Sequence, residues 1–220
     1  SMSKTSLSQT ASLPPVGKEL RYAFYLLFHP FKGFWDIKHE KKGSLLTAGI
    51  LLIAFLLSQI CSSLYTGYLF SDGGLDDFNL FRELFKWFFL FFGWCLSNWC
   101  LTCLFDGEGT FGDIFKATAF ALVPMTVFSF ALIPLSHFFV LTEATLYSML
   151  MNIGVWWTVG LVIIGMLTTH QYFFGKTVVI SIFTVFGMCI MAYIGLLFFD
   201  LLQQLIGFVS TVMQEIALRM

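Results

Sequence analysis

The chain has 220 residues, of which 58% are hydrophobic and only 11% charged, with a net charge of −1. A soluble domain carries about 25% charged residues, so this sequence has too little charge to cover a water-facing surface; its 28 phenylalanines and mean hydropathy of +0.83 point the same way. A near-neutral charge excludes the basic field that nucleic-acid binding needs, and the membrane region takes up so much of the chain that no separate soluble catalytic domain fits beside it.

Ser1-Met2 reads as a protease scar ahead of a native start, and residues 1–17 as a disordered tail. No secretory signal is seen before the first apolar run, which is expected to act as an uncleaved signal-anchor. Residues 18–43 predict a cytoplasmic interfacial segment. Leu20, Ala23, Phe24, Leu27, Phe28 and Phe31 recur at the spacing of an amphipathic helical stripe, with Lys18, Arg21, Tyr22 and Tyr25 off it. Pro30 then breaks the helix. Beyond it, Phe31, Phe34, Trp35 and Ile37 lie among Lys32, Lys38, Lys41 and Lys42. Rings at headgroup depth with cations facing anionic lipid make Lys18, Arg21, Phe31, Lys32, Phe34, Trp35 and Lys38 candidate anchors to the bilayer. The same exposed element is also suited to docking a partner.

A spanning helix needs about 20 apolar residues, and five runs meet that length: 45–64, 84–104, 116–139, 149–167 and 178–199. They must be helical, because hydrocarbon offers nothing to hydrogen-bond an open backbone; the alternating ten-residue segments of a membrane β-barrel are absent. The fold class expected is an all-α transmembrane bundle of five spans over 44–200, with an amphipathic extension at 201–220 lying along the outer face. Lys and Arg on alternate sides number nine against three, so the positive-inside rule places the N-terminus in the cytoplasm and the C-terminus outside.

The turn between the second and third runs concentrates the polar residues. Cys100 and Cys103 have the spacing of a redox pair, but they lie near the C-terminal end of an apolar helix beside Asp106, which raises a thiol pKa, so core packing is the better reading. Cys61, Cys95 and Cys189 also fall in apolar runs and make no disulfide framework. Asp106, Glu108 and Asp113 do not form a calcium loop, since its glycine and bidentate glutamate positions hold Phe111 and Ala117. Thr110 and Asp113 fit a helix-capping box. Pro124 and Pro134 can kink the third span. His137 and His170 are expected on opposite sides of the membrane, too far apart to share a site. No catalytic set, metal site or cofactor motif is present, and no span carries a mid-membrane charge of the kind transporters use. Asn98, Thr118, Asn152 and Thr158 read as interhelical glue, and Gly154, Gly160, Gly165, Ala117 and Ala121 as close-packing positions.

The segment Trp99-Cys-Leu-Thr-Cys-Leu-Phe-Asp-Gly-Glu-Gly-Thr-Phe-Gly-Asp-Ile-Phe115, followed by Ala119-Phe-Ala-Leu-Val-Pro124, resembles the bacterial branch of the Yip1 family. His29-Pro-Phe-Lys-Gly-Phe-Trp35 is similar to that branch as well. The resemblance implies an integral membrane protein without catalysis. Eukaryotic members act in early secretory traffic through Rab-type GTPases, but their Asp-Leu-Tyr-Gly-Pro motif is replaced here by residues 29–35, and their Tyr-Gly-Tyr motif by Thr118-Ala-Phe-Ala121.

The leading expectation is an adaptor or organiser of membrane components, meeting a membrane or peripheral protein partner, or lipid headgroups, through Asp106, Gly107, Glu108, Gly109, Phe111 and His170. Three elements would build that face: residues 18–42, 106–113 and 168–176. A small transporter, channel or accessory subunit is the alternative, and an intramembrane thiol redox enzyme built on Cys100 and Cys103 a remote one. The oligomeric state is open, a homo-oligomer included.

Overall fold

The computed structural model describes residues 16–40, 43–65, 79–105, 107–136 and 144–219. The described residues form eight α-helices and no strand, as a chain must when its apolar runs satisfy their own backbone groups. The helices are α1 (Val16–Phe28), α2 (Pro30–His39), α3 (Leu45–Tyr65), α4 (Leu80–Thr102), α5 (Phe111–Ala121), α6 (Val123–Ser136), α7 (Ala144–His170) and α8 (Phe174–Arg219). Taking α5 and α6 together, five segments are long and apolar enough to cross a membrane.

α1 and α2 form a hairpin. Pro30 ends one helix and begins the next at its first position, where a missing N–H costs nothing. Gly33 lets the two helices touch, because a Cβ there would lie 3.0 Å from Leu26 Cγ. The Tyr22 hydroxyl donates to Asp36 Oδ2 at 2.9 Å and ties the hairpin shut. Burial and the Asp36 carboxylate push the Tyr22 phenol above its usual range.

The expected stripe divides between two surroundings. Ala23 and Leu26 are buried and Leu20, Tyr22 and Leu27 pack beside them, while Phe24, Phe28 and Phe31 are exposed. Phe34, expected as a bilayer anchor, is instead 1% exposed and sits in the core against Gly165. Packing of α2 on α7 and α5 turns the Gly33, Phe34 and Ile37 face inward and leaves Phe31 and Trp35 outside. Lys18, Arg21 and Lys32 are exposed; Lys41 and Lys42 lie outside the described residues.

α1 also caps α3. Glu19, 3% exposed, accepts from the Ser44 backbone at 3.0 Å, from the Ser44 hydroxyl at 2.8 Å and from the Thr47 hydroxyl. The positive end of α3 and its unpaired N–H groups favour an anion there. Burial alone would raise the Glu19 pKa, but the hydrogen bonds from Thr47 and Ser44 outweigh it and hold the carboxyl below its usual range.

The centre of the bundle is α5. Ala117, Ala119, Phe120 and Ala121 are all buried, and α2, α3, α4 and α7 pack around them. In lipid, helices associate through close packing rather than hydrophobic gain, and the alanines allow that approach. The third span is interrupted beside Pro124, where a kink was expected: α5 ends at Leu122, whose N–H turns back to Ala119 O at 3.3 Å. Pro124 enforces the break, since it has no N–H for the i−4 carbonyl, and occupies the first turn of α6. Pro134 lies inside α6, near its end. Of the close-packing glycines expected on α7, Gly154 meets Phe128 and Gly165 meets Phe34, whereas Gly160 faces open space. Asn98, Thr118 and Thr158 are buried and Asn152 is exposed.

α8 pairs mainly with α4, with the Ser97 hydroxyl donating to Thr184 O at 2.8 Å. Its 46 residues extend about 70 Å at 1.5 Å per residue. The C-terminal extension therefore continues the same helix as the fifth span, and Leu201, Leu205, Ile206 and Phe208 are exposed.

Between α4, α7 and α8, over the α5–α6 junction, lies a partly open cavity of about 830 Å³.

Candidate functional site

One end of the bundle gathers the chain's scattered polar groups. α4 closes there with the Thr102 hydroxyl bonded to Asn98 O at 2.9 Å, and the Gly107 N–H returns to Thr102 O at 3.1 Å. α5 opens with the expected capping box: the Asp113 N–H donates to Thr110 Oγ1 at 3.3 Å, and the Thr110 N–H to Asp113 Oδ2 at 3.3 Å. Lys116 pairs with Asp113 at 2.9 Å. Just past the end of α7, Gln171 has a left-handed φ of 54° and turns the chain toward α8.

His170 joins these pieces. It is 2% exposed, its Nδ1 accepts the Gly109 N–H at 3.3 Å, and its Nε2 lies 2.9 Å from Asn98 Oδ1. With Nδ1 accepting, Nε2 carries the proton and donates to Asn98, so the ring is a neutral tautomer. Tyr172 stacks on it at 5.1 Å. Lys176 lies 4.4 Å over the Tyr172 ring and donates to Phe105 O at 2.7 Å. From α2, Lys38 donates to Thr169 O at 2.7 Å, at the negative end of α7, and pairs with Glu108 at 3.6 Å.

The two glycines are required by this closeness. A Cβ on Gly107 would stand 2.2 Å from the Tyr172 hydroxyl, and one on Gly109 would stand 2.7 Å from His170 Cε1. The turn is thus a clasp, with backbone pressed against the imidazole and the Glu108 side chain, 64% exposed, reaching out.

Of the residues expected at this site, Gly107, Glu108, Gly109 and His170 come together, and Lys38, expected as a lipid anchor, joins them. Phe111 sits apart, edge-on to Trp99 at 6.0 Å. Asp106 and His137 lie outside the described residues. Cys100 and Cys103 are exposed rather than packed in the core, because α4 directs Cys95, Asn98 and Thr102 inward and the opposite face outward. Glu19, Asp36, Tyr172 and Lys176 had no distinguishing signal, since their partners lie on other helices. Only Ser44-x-x-Thr47 ahead of an apolar run hinted that an acid was wanted nearby.

A helical bundle with five long apolar segments is a multi-pass membrane protein. The family model of the Yip1 domain matches residues 24–196, and the chain belongs to the Yip1 family. Comparisons with curated proteins and with solved structures returned no match.

Proposed function

We propose that this Yip1-family protein is a non-enzymatic adaptor or organiser of membrane components, with the clasped end on the cytoplasmic side and the C-terminus outside. The lysine and arginine distribution supports that orientation. One observation carries the functional reading: α2, the 107–110 turn and the α7–α8 turn are locked into a single face by His170, Lys38 and Lys176. A face already rigid loses little entropy when a partner binds. Its outward groups are Glu108, Lys32, Phe31 and Trp35, an acid, a cation and two rings suited to a protein surface at headgroup depth.

The test is affinity purification from native membranes with Glu108→Ala and Asp106→Ala, each checked for an unchanged unfolding midpoint. At least one co-purifying protein should fall several-fold. An unchanged partner set would refute the assignment. Reporter fusions at either end test the orientation.

A further inference from the structure

The cavity beside α5 shares no lining residue with the clasped end. Its walls come from Phe89, Leu90 and Trp94 on α4, Val159 on α7, and Val185 and Ala192 on α8, with the α5–α6 junction as floor. On α7 the lining residues Val155 to Ile163 fall about 10–22 Å from His170 at 1.5 Å per residue. That depth is inside the ~30 Å hydrocarbon layer.

We propose that this chamber binds one acyl chain of a membrane glycerolipid, entering from the bilayer through the chamber's open side. This goes beyond the adaptor reading and does not depend on it. The accessible wall is carbon almost throughout, with no charged side chain, so the headgroup stays outside. Thr118 and Ser181 spend their hydroxyls on Ile114 O and Thr177 O, both at 2.8 Å. Trp94 Nε1 and Thr158 Oγ1 have no partner but are covered by neighbouring atoms. Water needs two to four polar contacts to settle in a cavity, and here it finds none on the surface. The volume falls within the roughly 300–1,000 Å³ of sites that hold a single small molecule.

The test reconstitutes the full chain in phosphatidylethanolamine and phosphatidylglycerol vesicles containing a trace of phosphatidylglycerol with a diazirine in its acyl chain. After irradiation, labelled residues are mapped by mass spectrometry. Trp94, Val155 and Val162, which line the chamber and are only partly exposed, should be labelled several-fold more than Trp156 and Ile194, which are exposed and do not line it. Ala192→Trp and Val159→Phe, which fill it from α8 and from α7, should each remove that excess and leave Trp156 labelling unchanged. Equal labelling inside and outside would overturn the proposal. So would labelling indifferent to both fillings, or a chamber cross-linked to a second copy of the chain. The wild-type map decides even if one filled variant does not fold.

Discussion

Gly109→Ala tests the clasp most directly. The added methyl would lie 2.7 Å from His170 Cε1, 2.8 Å from Nδ1 and 3.0 Å from Thr169 Cγ2. Carbon atoms settle at about 3.5–4.0 Å, so the turn or the ring must retreat by about 1 Å. The Gly109–His170 hydrogen bond, at 3.3 Å already near its limit, would not survive. Overpacking costs about 1–3 kcal/mol and the lost bond about 1 kcal/mol. The stiffer unfolded chain returns about 0.4–1 kcal/mol, leaving a net loss of roughly 1–3.5 kcal/mol. Equilibrium unfolding in mixed detergent micelles measures it. Gly175→Ala on the neighbouring helix, where nothing lies within 4 Å, is the control and should be neutral or stabilising by up to about 1 kcal/mol. In a His170→Ala background most of the Gly109→Ala cost should vanish, since the opposing atoms are gone. If Gly109→Ala unfolds within about 0.5 kcal/mol of wild type, or costs the same in both backgrounds, the clasp does not bear on His170 as described.

Other outcomes follow from single contacts. Glu19, held below its usual pKa by Thr47 and Ser44 against the effect of burial, stabilises the fold above the unfolded carboxyl pKa of about 4.3. That contribution is lost as pH falls through the lower folded pKa, so wild type should lose stability between neutral pH and the acid range while Glu19→Gln, weaker at neutral pH, shows a flatter profile. Identical pH profiles would sink the assignment. Gln171→Gly should raise stability by about 0.5–1 kcal/mol, because φ of 54° strains a residue with a Cβ; a loss of stability would show that the side chain is needed. Glu108→Ala should change the unfolding free energy by no more than about 1 kcal/mol, as its pairing with Lys38 is exposed. Lys38→Ala, which also uncaps the end of α7, should cost more; equal costs would mean the Thr169 contact contributes nothing.

Features set by neighbouring residues could be read in the chain. The Thr110–Asp113 cap closes within one turn, and the Pro30 and Pro124 breaks act on their own helices. Contacts between distant helices could not be read this way. His170 meets Asn98 across 72 positions and Lys38 meets Thr169 across 131, and nothing local marks either pair. Phe34 departs from its expected place for a different reason. Phe34 and Phe31 are chemically identical, yet one fills the core and the other stands outside.

The sequence by itself determined that this is a five-span helical membrane protein, because the length of an apolar run and the need to satisfy backbone groups in hydrocarbon are local properties. It also carried the family, through the residues around the acidic glycine turn. Only the tertiary structure decided which apolar faces meet protein, that the glycine turn is a clasp on a buried histidine, and that a chamber opens between α4, α7 and α8. In water, polarity separates inside from outside. In a bilayer both neighbours are hydrocarbon, so burial is set by packing between helices.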